Sequence, residues 1–433
     1  MTIEFRTVTF GDVATIVGGG TPSTKDSENY GGGIPWITPK DLSTHHSRYI
    51  ESGERSISAK GLSSSSAKLL PANSVLFTSR APIGYVALAR NEITTNQGFK
   101  SLVLKDGNIP EYFYYLLKHY TPRIESFASG STFMEISGGA LKGIEIRIPS
   151  IPMQKAIAHI LGTLDDKIEL NQKMNQTLED IAKAIFKSWF VDFDPVRAKA
   201  EGRPTGLSPE ISDLFPDELV NSEIGEIPKG WDRVQFTDTF EFFSGGTPKT
   251  SVPDYWDGEI PWFSIADLNT SSPWVTNTEK SITDLGLSKC SAKLIERGTT
   301  IITARGTVGK IALAGQDMAI NQSCYAMRAS EDRSFTWLYL QTLMLIEQLQ
   351  ANAHGSVFDT ITRNTFAQFY ITHPTNNLMK AFRESISSVF ERMLVADQEN
   401  SVLSELRDTL LPKLISGELR VPDAEKFLEE AGI

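Results

Sequence analysis

Cysteine, histidine and net positive charge are all scarce in this chain, and each scarcity narrows what it can be. Of 433 residues only Cys290 and Cys324 are cysteines. Two thiols build no disulfide framework and no cysteine-rich zinc module. The six histidines (His45, His46, His119, His159, His354, His373) contain no His-x-x-x-His pair, so no zinc site is indicated. Acidic residues outnumber basic ones by 53 to 42, which gives a net charge of −11. That excludes a basic nucleic-acid coat protein, and any DNA contact has to come from local positive surface. No run of ~18 apolar residues occurs and no basic head precedes an apolar stretch, so a cytoplasmic protein without a membrane span is expected.

Catalytic signatures are missing as well. No Gly-x-x-x-x-Gly-Lys-Ser/Thr phosphate loop is present, and the runs Gly18–Gly20 and Gly31–Gly33 read as turns. No Gly-x-Gly-x-x-Gly follows a strand, so no dinucleotide or methyl-donor site is indicated. Phe193-Asp194-Pro195-Val196 lacks the second proline and the aromatic that would stack a flipped base. The chain reads as a non-enzyme with no cofactor or metal of its own.

What is present is one unit written twice. Gly19-Gly20-Thr21-Pro22 returns as Gly245-Gly246-Thr247-Pro248, and Ile34-Pro35-Trp36 as Ile260-Pro261-Trp262. After one residue is lost the register continues through Ser66-Ala67-Lys68-Leu69 against Ser291-Ala292-Lys293-Leu294. It goes on through Arg80 against Arg305, Asn96-Gln97 against Asn321-Gln322, and Gly130-Ser131 against Gly355-Ser356. An internal repeat of this kind is the strongest single clue to architecture. Each copy opens with a segment (1–150 and 231–374) rich in turn residues and short β-leaning runs, with a helix expected near 110–119 and 334–350.

Each copy then becomes helical. Apolar residues step by four and three through Ile157, Leu161, Leu164, Ile168, Asn171, Asn175, Leu178, Ala182, Ile185 and Trp189. The second copy repeats this through Phe382, Ile386, Val389, Met393, Ala396, Asn400 and Leu403. Two register-matched heptad seams favour pairing with each other, and a polar Asn in a seam fixes register at some cost in stability. Helices over 151–194 and 375–416, a linker over 195–230 and a tail over 417–433 complete the reading. A ~38-residue helix is ~57 Å long. The fold class is α+β: two strand-rich domains joined by an antiparallel coiled coil, with pseudo-two-fold symmetry.

These twin domains, each followed by a long helix, resemble the specificity (S) subunit of type I restriction–modification enzymes. Supporting strings are Pro152-x-Gln154 at the start of the first helix, Trp189-Phe190-Val191-Asp192-Phe193 at its end, and Leu411-Pro412-Lys413-Leu414-Ile415-Ser416-Gly417 closing the second. The likeness spans essentially the whole chain, though Asn377-Leu378-Met379 offers no counterpart to Pro152-x-Gln154. The resemblance implies two target recognition domains, each reading half of a bipartite site in double-stranded DNA. It also implies that the helices set the spacing and dock two modification (methyltransferase) subunits, alongside restriction (translocase/nuclease) subunits. Methyl donor and ATP would then belong to those partners. A protein-only scaffold with ligand-binding end domains stays open as the rival, and the charge of −11 favours it slightly.

Under the resemblance, the duplication sorts candidate contacts. Residues shared by both copies cannot distinguish two half-sites, so they would serve phosphate or scaffold: Lys68 and Lys293, Arg80 and Arg305, Gln97 and Gln322, Ser131 and Ser356. Residues that differ at matching positions are the specificity candidates: Thr38, Lys40, His45, His46 and Arg48 in the first copy, Ser264, Ser271 and Trp274 in the second.

Overall fold

The computed structural model describes residues 5–45, 47–130, 134–268, 271–330, 333–352 and 360–430. Two compact units emerge, one built from the residues up to Glu169 together with those from Ser401 onward, the other from Leu170 to Asn400.

The first unit holds a five-stranded sheet in the order Ala14–Gly18, Lys100–Leu104, Val75–Ser79, Ile83–Ala89, Tyr49–Ile50. A three-stranded sheet, Arg55–Ile57, Tyr30–Ile37, Thr94–Thr95, stands beside it, and Arg6–Thr9 pairs with Glu145–Ile148. The centre of the larger sheet is apolar on both faces, which is why Val75-Leu76-Phe77 reads as a continuous run rather than an alternation. Val75 and Phe77 point into the cluster that holds helix α1 (Pro110–Glu125), and Leu76 into the one that holds Ile37 and Phe99. Each such fully buried side chain contributes roughly 1.5–3 kcal/mol.

The second unit repeats the plan strand for strand: Phe240–Ser244, Cys324–Ala329, Thr300–Thr303, Ile311–Ala314, Trp274–Val275, then Ser281–Ile282, Trp256–Phe263, Ala319–Ile320. The expected helix near 334–350 is Phe335–Asn352 (α3). The stretch 195–230, expected as a linker, is ordered. It carries helices Asp194–Ala200 and Pro209–Ser212 and a hairpin of Leu219–Ser222 with Gly225–Pro228. Its Val196 and Phe215 are buried in the unit's core, so apolar residues among the prolines and glycines hold it down.

The long helices are Ile151–Phe190 (α2) and Asn376–Ser416 (α4). In the first unit Ile157, Leu161 and Leu164 of α2 share a core with Leu403, Leu410 and Leu414 of α4. Arg407 Nη1 of α4 lies 2.7 Å from Asp165 Oδ1 of α2. In the second unit Asn171 Nδ2 donates to Asn400 Oδ1 at 3.0 Å and to Glu399 Oε2 at 2.8 Å. Asn175 Nδ2 donates to Asp397 Oδ1 at 3.1 Å and to the Met393 carbonyl at 3.2 Å. Farther along, Ala182, Phe186 and Trp189 meet Phe382, Ile386 and Met393. Partner numbers fall on α4 as they rise on α2, so the pairing within each unit is antiparallel. Ile168, Leu178 and Val389 of the seam are half-buried. Asn175 and Asn400 are counterparts in the repeat, yet each bonds elsewhere, since antiparallel helices match unlike positions.

The family strings have structural causes. Gln154 is fully buried, its Nε2 donating to Asn108 Oδ1 at 3.1 Å and to the Pro149 carbonyl at 3.2 Å while its Oε1 accepts from Ile109 N at 3.1 Å. Trp189, Phe190 and Phe193 pack with Phe215, Trp231 and Phe382. Gly417 ends α4 at a φ of +80°, and the expected tail is a further helix, Val421–Glu430 (α5), with Val421 and Ala424 buried in the first unit's core.

Candidate nucleic-acid interface

In both units the three-stranded sheet is organised around the Gly-Gly-Thr-Pro segment. A side chain on Gly20 would place its Cβ 2.2 Å from the Ala67 amide nitrogen, and one on Gly246 2.4 Å from that of Ala292. On Gly19 and Gly245 it would sit 2.0 and 1.9 Å from the carbonyl oxygens of Asn96 and Asn321. These glycines are therefore points of close backbone approach, and neither glycine run forms the expected turn: Gly31 and Gly33, at φ of +79° and +81°, lie inside the strand Tyr30–Ile37, where its register against Arg55–Ile57 shifts as at a bulge. Trp36 Nε1 donates to the Gly20 carbonyl at 2.9 Å and Trp262 Nε1 to that of Gly246 at 3.0 Å, which accounts for the paired Ile-Pro-Trp strings.

The same frame carries several candidates. Gln97 is exposed and accepts a hydrogen bond from Thr21, and Gln322 accepts one from Thr247. Lys68 and Lys293 are exposed two positions beyond Ser66 and Ser291, which pack on the glycines. Arg80 lies 3.5 Å from Glu135, whereas Arg305 is exposed with no ion pair among the described residues. Ser131, Ser356 and His46 lie outside the described residues.

Four specificity candidates prove to be structural. Thr38 and Ser264 cap the following turn: Asp41 Oδ2 accepts from Thr38 N and Oγ1 at 2.7 and 2.6 Å, and Asp267 Oδ2 from Ser264 N and Oγ at 2.7 and 2.9 Å. Their hydroxyl protons are committed in the same way in both copies, which gives the two residues one common capping role. Arg48 is buried and bonds Asp166 of α2, and Trp274 is 1% exposed with its Nε1 on the Phe390 carbonyl of α4 at 3.0 Å. Each seats its sheet on the long helix of its own copy at an equivalent place, and the positions differ because the helix offers Asp166 in α2 and Phe390 in α4. Lys40 remains exposed, 2.7 Å from Glu54, while His45 Nε2 meets the Tyr49 carbonyl at 3.0 Å and Ser271 is half-buried.

One matched pair escaped the sequence reading. Glu54-Arg55-Ser56-Ile57 corresponds to Glu279-Lys280-Ser281-Ile282, but it sits beside the one-residue gap between the copies. Trp36 pairs with Arg55 across the sheet, as Trp262 N bonds the Lys280 carbonyl at 2.9 Å. Among the described residues no group of three His, Cys, Asp or Glu side chains is placed to hold a metal ion, and no helix is long and apolar enough to cross a membrane.

Two strand-rich domains of one plan, each packed on antiparallel helix segments, define an internally duplicated α+β protein. The family of the type I restriction modification DNA specificity domain matches residues 2–180 and again 228–378. The chain is 34% identical over 418 residues to the type I restriction enzyme MjaIX specificity subunit of Methanocaldococcus jannaschii, covering 95% of this chain and 93% of that one. It is 30% identical over 358 residues to the HindI specificity subunit of Haemophilus influenzae, covering 72% and 78%. The crystal structure of a type I restriction–modification S subunit from M. genitalium shares the fold, with a TM-score of 0.54 at 17% identity, over 96% of this chain and 99% of that one. The chain belongs to the specificity-subunit family of type I restriction–modification enzymes, a non-catalytic subunit with two domains for DNA target recognition.

Proposed function

We propose that each domain reads one half of a bipartite site in double-stranded DNA, that the paired helices set the gap between the halves and dock two modification subunits, and that restriction subunits join the same complex. Methyl donor and ATP belong to those partners. The observation that carries this reading is one frame built twice with different exposed side chains, as two unlike half-sites demand. Contacts common to both copies (Lys68 with Lys293, Gln97 with Gln322, Arg80 with Arg305) would serve the sugar–phosphate backbone, which carries no sequence information.

The test is long-read methylation mapping in cells expressing the chain with its modification subunit. A bipartite methylated motif is expected. Matched seven-residue insertions after Glu169 and after Asn400, near-facing positions of the antiparallel pair that leave the Asn171 and Asn175 bonds inside one unit, keep both heptad patterns and add ~10 Å of helix, about three base pairs at ~3.4 Å each. Both half-sites should survive with a longer gap, although the accompanying twist of roughly 100° should lower activity. An active variant that keeps the original gap would refute the spacing role.

A further inference from the structure

We infer that Arg55 is a base-reading residue of the first recognition domain, taking guanine in its half-site, and that Lys280 holds the corresponding position in the second; this rests on the DNA-reading function proposed above.

The argument begins with the segment that both copies hold in the same way. In the first copy, Gly20, Thr21 and Pro22 are each tethered: Gly20 by Trp36 and by its own amide, which donates to the Thr95 carbonyl at 2.9 Å, Thr21 by Gln97, and Pro22 through its carbonyl by the Tyr30 hydroxyl at 2.9 Å. Arg55 lies across this frame, with its guanidinium carbon 4.0 Å from the centre of the Tyr30 ring and 5.9 Å from that of Trp36. Tyr30 and Trp36 themselves meet edge to face at 5.9 Å. In the second copy Trp256 replaces Tyr30, meets Trp262 edge to face at 5.2 Å, and has its Nε1 3.4 Å from the Lys249 carbonyl, while Lys280 replaces Arg55. The frame is constant, and the exposed cation on it changes.

Several exposed cations of this domain are held by carboxylates. Lys40 pairs with Glu54, Lys60 with Asp26 and Glu28, and Arg90 with Glu51. Arg55 is exposed, has no ion pair among the described residues, and is held by rings instead of a carboxylate. A guanidinium resting on an aromatic face keeps its N–H edge available while giving up part of the rotamer freedom that binding would otherwise cost. That edge matches the O6 and N7 acceptors of guanine in the major groove. Gln97, which bonds Thr21, and Lys68, next to the Ala67 that packs on Gly20, are exposed residues bordering the same segment.

The test uses the full chain co-expressed with its modification subunit. Methylomes are mapped for Arg55→Ala, Arg55→Lys and Lys280→Ala beside the parent. Arg55→Ala should relax a single guanine position in one half-site, with discrimination there falling about ten- to a hundredfold, and leave the other half-site unchanged. Lys280→Ala should act on the opposite half. The intact half-site reports folding, and if Arg55→Ala yields no active complex, Arg55→Lys decides by a weakened preference at that same position. An unchanged motif in active variants, including a uniform loss of affinity across sequences, would overturn the inference. A parent that produces no bipartite methylation would instead refute the underlying reading.

Discussion

At the scale of single residues, matching positions in the two copies can diverge for reasons unrelated to DNA. Arg48 and Trp274 differ as a specificity pair should, yet both face inward, because one sheet rests on an acidic stretch of α2 and the other on the aromatic side of α4. Arg48→Ala should leave the methylated motif unaltered while destabilising the first unit. The side chain is about 10% exposed beside Asp166 and close to α2, where a Cβ on Gly162 would lie 2.6 Å from its Nη1. Removing a buried partner of this kind costs about 2–3 kcal/mol, discounted because Asp166 is itself exposed, which lowers a melting temperature by roughly 5 °C. A differential scanning measurement together with the methylome checks both halves of that statement, and a changed motif would return Arg48 to the DNA face.

At the scale of elements, the helices were the most legible part of the sequence. A 3.5-residue period survives any tertiary context, so Ile157 to Trp189 and Phe382 to Leu403 announced their buried face directly. Strands such as Tyr49–Ile50, Thr94–Thr95 and Trp274–Val275 are two residues long, too short for any alternation to show, and their partners are distant in the chain. The capping roles of Thr38 and Ser264 were legible in principle from the Asp three residues on. Seating on a helix, as for Arg48, leaves no local trace.

Polar groups in the helix pair carry a pH prediction. Burial pushes the Asp397 carboxyl up to about 6, against hydrogen bonds from Ser272 and Asn175 that pull it down. The folded state thus holds this proton more tightly than the unfolded state does. Its contribution is fully present below pH ~4 and is lost as pH rises through about 6. Asp397→Asn keeps an acceptor for Asn175 without the charge. It should be more stable than the parent at pH 8, by on the order of 2 kcal/mol, with the gap closing toward pH 4. Thermal melts across that range test it; a gap that is constant with pH would show that Asp397 does not titrate there.

At the scale of the whole molecule, each unit owns a set of apolar contacts that the other does not supply. A chain stopped after Asn400 keeps the entire second unit but deprives Ile157, Leu161 and Leu164 of Leu403, Leu410 and Leu414. Calorimetry should then retain the transition of the second unit and lose or sharply lower that of the first. Loss of both transitions would mean that neither unit stands alone.

The same division sets an order of events during synthesis. The second unit is one continuous stretch, so it is complete as soon as Asn400 has left the ribosome, whereas the first, begun before it, lacks one wall until the residues from Ser401 onward emerge. The domain made first is therefore finished last. Through translation of roughly 230 intervening residues, at about 5–20 per second, it waits for some ten to fifty seconds with an apolar helix face uncovered. In that interval Ile157, Leu161 and Leu164 stand open to any other apolar surface, and a chaperone or a helix of a neighbouring nascent chain should compete for the place that α4 will fill.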